Sequence, residues 1–274
     1  MTTLALSAPR FTGFAQLRQD APLFTTLGIA MALSLLPTLA AMQIDDRLFH
    51  GESIWVKPIK FQIALTIYLL TLAFYARWLP LAMRQARLFR IYCGIVAGAI
   101  IAEVLWIAGA AALGTASHFN DSSPVWAALY GFMGVAAVTL TSAVLVSGIA
   151  IWRNRASGLP DALRLAVALG LVLTFVLTVP VAYYMSSNTG HFVGTPADWD
   201  RGLPLMGWSR SVGDLRVAHF LATHALHGIP LAGLIAVLIL PVQAARRAVL
   251  LASAGYAALV AATFVQALAG QPFL

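Results

Sequence analysis

Charge is what this chain has least of. Only 10% of its 274 residues are Asp, Glu, Lys or Arg, 60% are hydrophobic, and the mean hydropathy is +0.84. A water-soluble globule cannot hide that much apolar side chain, so an all-α, polytopic transmembrane helix bundle is expected. Cysteine is nearly missing as well: Cys93 alone excludes an intramolecular disulfide, a thiolate metal cluster and a c-type haem attachment. Any metal must therefore use nitrogen or oxygen ligands. No repeat of 20 to 50 residues, low-complexity tract or soluble-domain linker interrupts the chain, which predicts one membrane domain over 1–274.

Apolar runs of about 20 residues, the length that crosses a hydrocarbon core, fall near 24–42, 61–80, 91–113, 126–151, 165–185, 218–240 and 248–268. Seven helices are expected, with a long connection over 186–217. The first run follows basic residues and resembles a cleavable signal peptide, but its long preceding segment and full spanning length point to an uncleaved anchor. Alternate connections carry Arg77, Arg84, Arg87 and Arg90, then Arg153, Arg155 and Arg164, then Arg246 and Arg247. With Arg10 and Arg18 they hold 11 of the 17 basic residues, against the two acids Asp20 and Asp161. Positive charge marks the cytoplasmic side, so the N-terminus is expected inside, the C-terminus outside and the protein in a cell inner membrane. The net charge of +7 is then topogenic and calls for no nucleic-acid partner.

On that topology all six histidines lie on, or just inside, the outer face: His50, His118, His191, His219, His224 and His227. Asp214, in Gly213-Asp214-Leu215-Arg216, stands where a carboxylate can cap the free amides of a new helix. At about 1.5 Å per residue His224 lies roughly 10 Å and His227 roughly 15 Å below the outer boundary, and the three histidines of that helix span about 140° of its surface. Glu103, ten residues before the end of the third helix at Leu113, is about 15 Å deep by the same rise. An ionisable group at such depth is expensive and is by default a functional candidate. Lys57 and Lys60 stand beside aromatics at the mouth of the second helix, where snorkelling explains most of their placement and neutralising an anionic group the rest.

Histidines and carboxylates in a shielded place suit zinc, copper or iron, or the axial ligation of one b-type haem. Two haems are excluded because the inner half holds no histidine, and a retinal protein because the last helix has no lysine. A zinc amidase of the alkaline ceramidase and adiponectin-receptor type is a poor match: His224 and His227 are three apart, and the last helix lacks histidine. A rhomboid-like protease is weaker still, with no GxSG-type nucleophile helix.

The blocks WVKPIKF at 55–61, SHFN at 117–120 and GDLRVAHFLATHALH at 213–227 resemble a family of bacterial multi-pass membrane proteins, over most of the chain from the second helix onward. The resemblance implies a fold and supplies no reaction. In that family glutamine is common where His227 stands, which puts His118, His219 and His224 ahead of it as ligands.

The leading expectation is an outward-facing histidine/carboxylate site, with His118, His219, His224 and His227 as metal or haem ligands and Glu103 or Asp214 orienting a ligand or moving a proton. It would serve an oxidoreductase or hydrolase acting on a lipophilic small molecule in the bilayer. The alternatives are a small proton-coupled permease in which Glu103 and His227 relay protons, or an accessory subunit of a homo-oligomer or larger membrane complex.

Overall fold

The computed structural model describes residues 13–49 and 51–274, so Arg10 and His50 lie outside the described residues. The protein is all-α, and seven of its helices are long and apolar enough to cross a membrane. They are α2 (Pro22–Ile44), α3 (Val56–Tyr75), α5 (Arg87–Ala112), α6 (Pro124–Arg153), α7 (Asp161–Ser186), α8 (Leu215–Ile239) and α9 (Val242–Leu268); short α1 (Phe14–Asp20) and α4 (Leu81–Gln85) precede α2 and α5. All seven expected crossings are present.

Proline sets many of the starts. Pro22 and Pro124 take the first helical position, where the missing N–H costs no hydrogen bond, and Pro80, Pro160 and Pro241 stand one residue before α4, α7 and α9. The largest displacements from the predicted ends are at α3 and α9. Helix α3 begins at Val56 rather than near 61 because Lys57 and Lys60 interrupt the apolar run without interrupting the helix. It closes through a 3₁₀ turn at Ala76–Trp78, since Leu79 precedes a proline and is extended, with ψ of 146°. Helix α9 starts six residues early for the same reason, as Arg246 and Arg247 sit inside its second turn.

The chain divides into two compact units: Met1–Ala143 with Asn154–Gly158, and Val144–Arg153 with Leu159–Leu274. In the first unit Gly28 of α2 lets α3 approach closely, a Cβ there lying 3.0 Å from Leu70 Cδ2. Tyr68 Oη donates to the Leu140 carbonyl at 2.6 Å, tying α3 to α6. Asp20 pairs with Arg84 at 2.6 Å, and Asn154 Nδ2 donates to the Trp78 carbonyl at 2.8 Å.

In the second unit, α7, α8 and α9 surround Leu165, Ala166, Ala225, Ile229, Ala245 and Val249. Small residues let backbones meet where lipid offers no hydrophobic drive: a Cβ on Gly170 would stand 2.6 Å from Pro230 Cδ, and one on Gly228 2.9 Å from Tyr256 Cε2. Tyr256 Oη donates to the Leu221 carbonyl at 2.8 Å. The long connection between α7 and α8 is pinned by a two-residue antiparallel ladder, Phe192–Val193 on Gly213–Asp214.

Candidate functional site

Glu103 lies nine residues from the end of α5, about 14 Å along the helix, and is 4% exposed. Among the described residues no other carboxylate sits more than a turn inside a spanning helix. Its Oε2 is buried without a hydrogen-bond partner. Lys57, the second residue of α3 in the same unit, is half-buried, and Lys60 is exposed. Gln62, a turn further along α3, gives its amide protons to Thr38 Oγ1 at 2.8 Å and the Ser34 carbonyl at 3.2 Å. Its own Oε1 is buried and unpartnered. Ile101, Val104 and Leu105 of α5 line a groove of about 140 Å³ with Leu27, Ala30, Met31 and Ser34 of α2, on a face that does not include Glu103. The first unit thus holds two open acceptors on spanning helices, Glu103 Oε2 and Gln62 Oε1.

His118 belongs to the same unit. Its ring stands 5.9 Å from Phe61 and 5.6 Å from Tyr130, and Ser117 Oγ lies 3.2 Å from its Nδ1. The loop that carries it is firmly built. Asn120, 6% exposed, donates to the Ala116 carbonyl at 2.9 Å and accepts from Ser122 Oγ at 2.6 Å, while Trp106 Nε1 donates to the Ser117 carbonyl at 2.7 Å. Phe119 adopts the left-handed φ of 56° that the turn requires.

His219, His224 and His227 belong to the second unit, along α8, so the favoured ligand trio is divided between the units. His224 Nδ1 lies 2.8 Å from the Phe220 carbonyl. A carbonyl only accepts, so the ring proton is on Nδ1 and the lone pair is on Nε2. Phe220 stacks on the same ring at 3.9 Å and 28°, fixing its plane. His227 follows with 5.7 Å between ring centroids, and His219 Nδ1 is buried without a hydrogen-bond partner. Among the described residues no three of His, Cys, Asp or Glu are grouped to hold a metal ion.

Asp214 caps α8 as its sequence context predicts, accepting from Arg216 N at 3.0 Å. The carboxylate, 1% exposed, also takes Ser209 N at 3.0 Å and Arg216 Nε and Nη2 at 2.9 and 2.6 Å. That is the work of a structural anchor. Sequence reasoning missed a second anchor, Asp200, whose Oδ2 accepts from Ser209 Oγ, Ser211 Oγ, Arg210 N and Ser211 N at 2.5, 2.7, 2.9 and 3.1 Å. These bonds, led by that from Ser209 Oγ, hold the Asp200 carboxyl well below the usual carboxylate range. The Ser-Arg-Ser run at 209–211 was the available signal, since short hydroxyl side chains next to free amides make such acceptor nests.

Comparison of the chain with protein-family models, with curated proteins and with solved structures found no match.

Proposed function

We propose that this membrane protein is a small proton-coupled carrier in which Glu103 exchanges the proton and Lys57 is the cation that tolerates its ionised form. The observation that carries the reading is the open Oε2 of a buried carboxyl deep in a spanning helix. A carboxyl kept only for structure would have its oxygens bonded, because an unpartnered buried acceptor costs about 1–3 kcal/mol. Left open in a low dielectric, Glu103 gains from holding a proton, and Lys57 in the same unit is the cation this reading assigns to offset its loss. A group held between two protonation states is what proton coupling requires.

The same proposal puts the protein in a bacterial inner membrane with the N-terminus inside and the C-terminus outside, supported by the arginine-rich alternate connections. Support for a metal- or haem-dependent oxidoreductase or hydrolase is narrower and comes down to the oriented ring of His224.

The test is a pH jump applied to reconstituted protein on a solid-supported membrane. The native protein should give a transient charge displacement that Glu103→Gln loses and Glu52→Gln, at the loop between α2 and α3, keeps. An undiminished transient in Glu103→Gln refutes the proposal.

A further inference from the structure

We propose that His224 and His227 of α8 form a two-imidazole site for one divalent transition-metal ion of the Cu²⁺ or Zn²⁺ class. This stands apart from the proton-coupled reading: it concerns the second unit, and its test reads metal rather than protons.

Residues three apart share a helix face, and these two rings are 5.7 Å apart at 48°. A metal–imidazole bond is about 2.0–2.1 Å, which places each ring centre about 3.2 Å from a shared ion. With a nitrogen of each ring turned to that ion, two centres 5.7 Å apart subtend about 126° there, a little wider than the trigonal angle and within the distortion such ions accept.

The donor nitrogen of His224 is already chosen. Its Nδ1–H is committed to the Phe220 carbonyl at 2.8 Å, which is how ligating histidines are usually oriented and made more basic, and Phe220 stacked at 3.9 Å keeps the ring from turning. The site comprises two imidazoles, since no third His, Cys, Asp or Glu joins the pair among the described residues; oxygen donors would complete the shell of an ion held there.

Full-length protein purified without a polyhistidine tag and stripped with chelator would be titrated with Cu²⁺ and Zn²⁺ and examined by electron paramagnetic resonance. The expected result is one Cu²⁺ per chain with hyperfine splitting from two imidazole nitrogens. Affinity should fall at least tenfold in His224→Ala and in His227→Gln, and be unchanged in His118→Ala, which alters the other unit. His227→Gln nearly preserves side-chain size, so it decides the matter if His224→Ala does not fold. Substoichiometric binding by the native protein, retention of the two-nitrogen signal in His227→Gln, or equal loss in His118→Ala would each overturn the assignment.

Discussion

Replacing Asp214 by alanine should remove about 3 kcal/mol of stability, and the sum can be worked bond by bond. Losing the side-chain acceptor at the start of α8 costs about 1 kcal/mol. The buried Ser209 amide, bonded at 3.0 Å to Asp214 Oδ2, would be left unpartnered, for about 1 kcal/mol more. The ion pair with Arg216 is one-sided, since the Arg216 side chain is 30% exposed while that of Asp214 is buried. The freed guanidinium can turn to water, so its share is discounted from the several kcal/mol of a fully buried pair to about 1 kcal/mol. At about 2–4 °C per kcal/mol for a chain of this size, the melting temperature should drop by about 6–12 °C. Intrinsic fluorescence of the seven tryptophans, followed in one detergent at one scan rate, reads this directly. Asp214→Asn keeps one oxygen to cap Arg216 N but sets an amide nitrogen, a donor, where Oδ2 accepted from Ser209 N and Arg216, so its drop should be about two-thirds as large. A melting temperature for Asp214→Ala within 2 °C of the native value, a margin of less than about 1 kcal/mol, would refute the reasoning and return Asp214 to the candidates for proton transfer.

Acid should act through the connection between α7 and α8. The folded Asp200 carboxyl titrates below its unfolded value, so its contribution is present above about pH 4 and drains away progressively as pH falls from there towards the folded value. Melting curves between pH 2 and 7 should show a decline below about pH 4 in the native protein that is shallower in Asp200→Asn. Gly170→Val should destabilise by about 1–3 kcal/mol, because its Cβ would meet Pro230 Cδ at 2.6 Å and the Ala225 carbonyl oxygen at 3.0 Å, neither of which is a flexible tip; the same melting assay checks it. Alkaline phosphatase fused after Asp121 or after Leu274 should be active, and fused after Arg155 inactive. An inactive fusion at Asp121 overturns the orientation inferred from the arginines.

The spans were legible because a bilayer demands about 20 apolar residues in a row, a signal that survives without any knowledge of packing. Their ends were less so wherever a helix continues under charge: Lys57 and Lys60 in α3, and Arg246 and Arg247 in α9, are helical but read as connection. Asp214 was recognisable as a cap because capping is local, whereas Asp200 was not, since the four donors to its Oδ2 are nine to eleven residues away. For the site, depth along a helix identified Glu103, yet sequence could not show which of its oxygens goes unbonded. Among the histidines, sequence favoured His118, His219 and His224. The structure puts the closest rings at His224 and His227, because three-residue spacing on one helix outweighs any rank assigned residue by residue.

Helix α6 is written into both units: its residues to Ala143 belong to the first and its last turns, from Val144, to the second, after which Asn154–Gly158 returns to the first. This sets an order on the ribosome. When four spans have emerged, the first unit still lacks Asn154, whose amide closes on the Trp78 carbonyl 76 residues upstream. That clasp forms only as Asp161, the first residue of α7, is about to follow. A nascent chain that has emerged to 150 would therefore hold four helices and an unfinished unit, and one that has emerged to 160 a finished one.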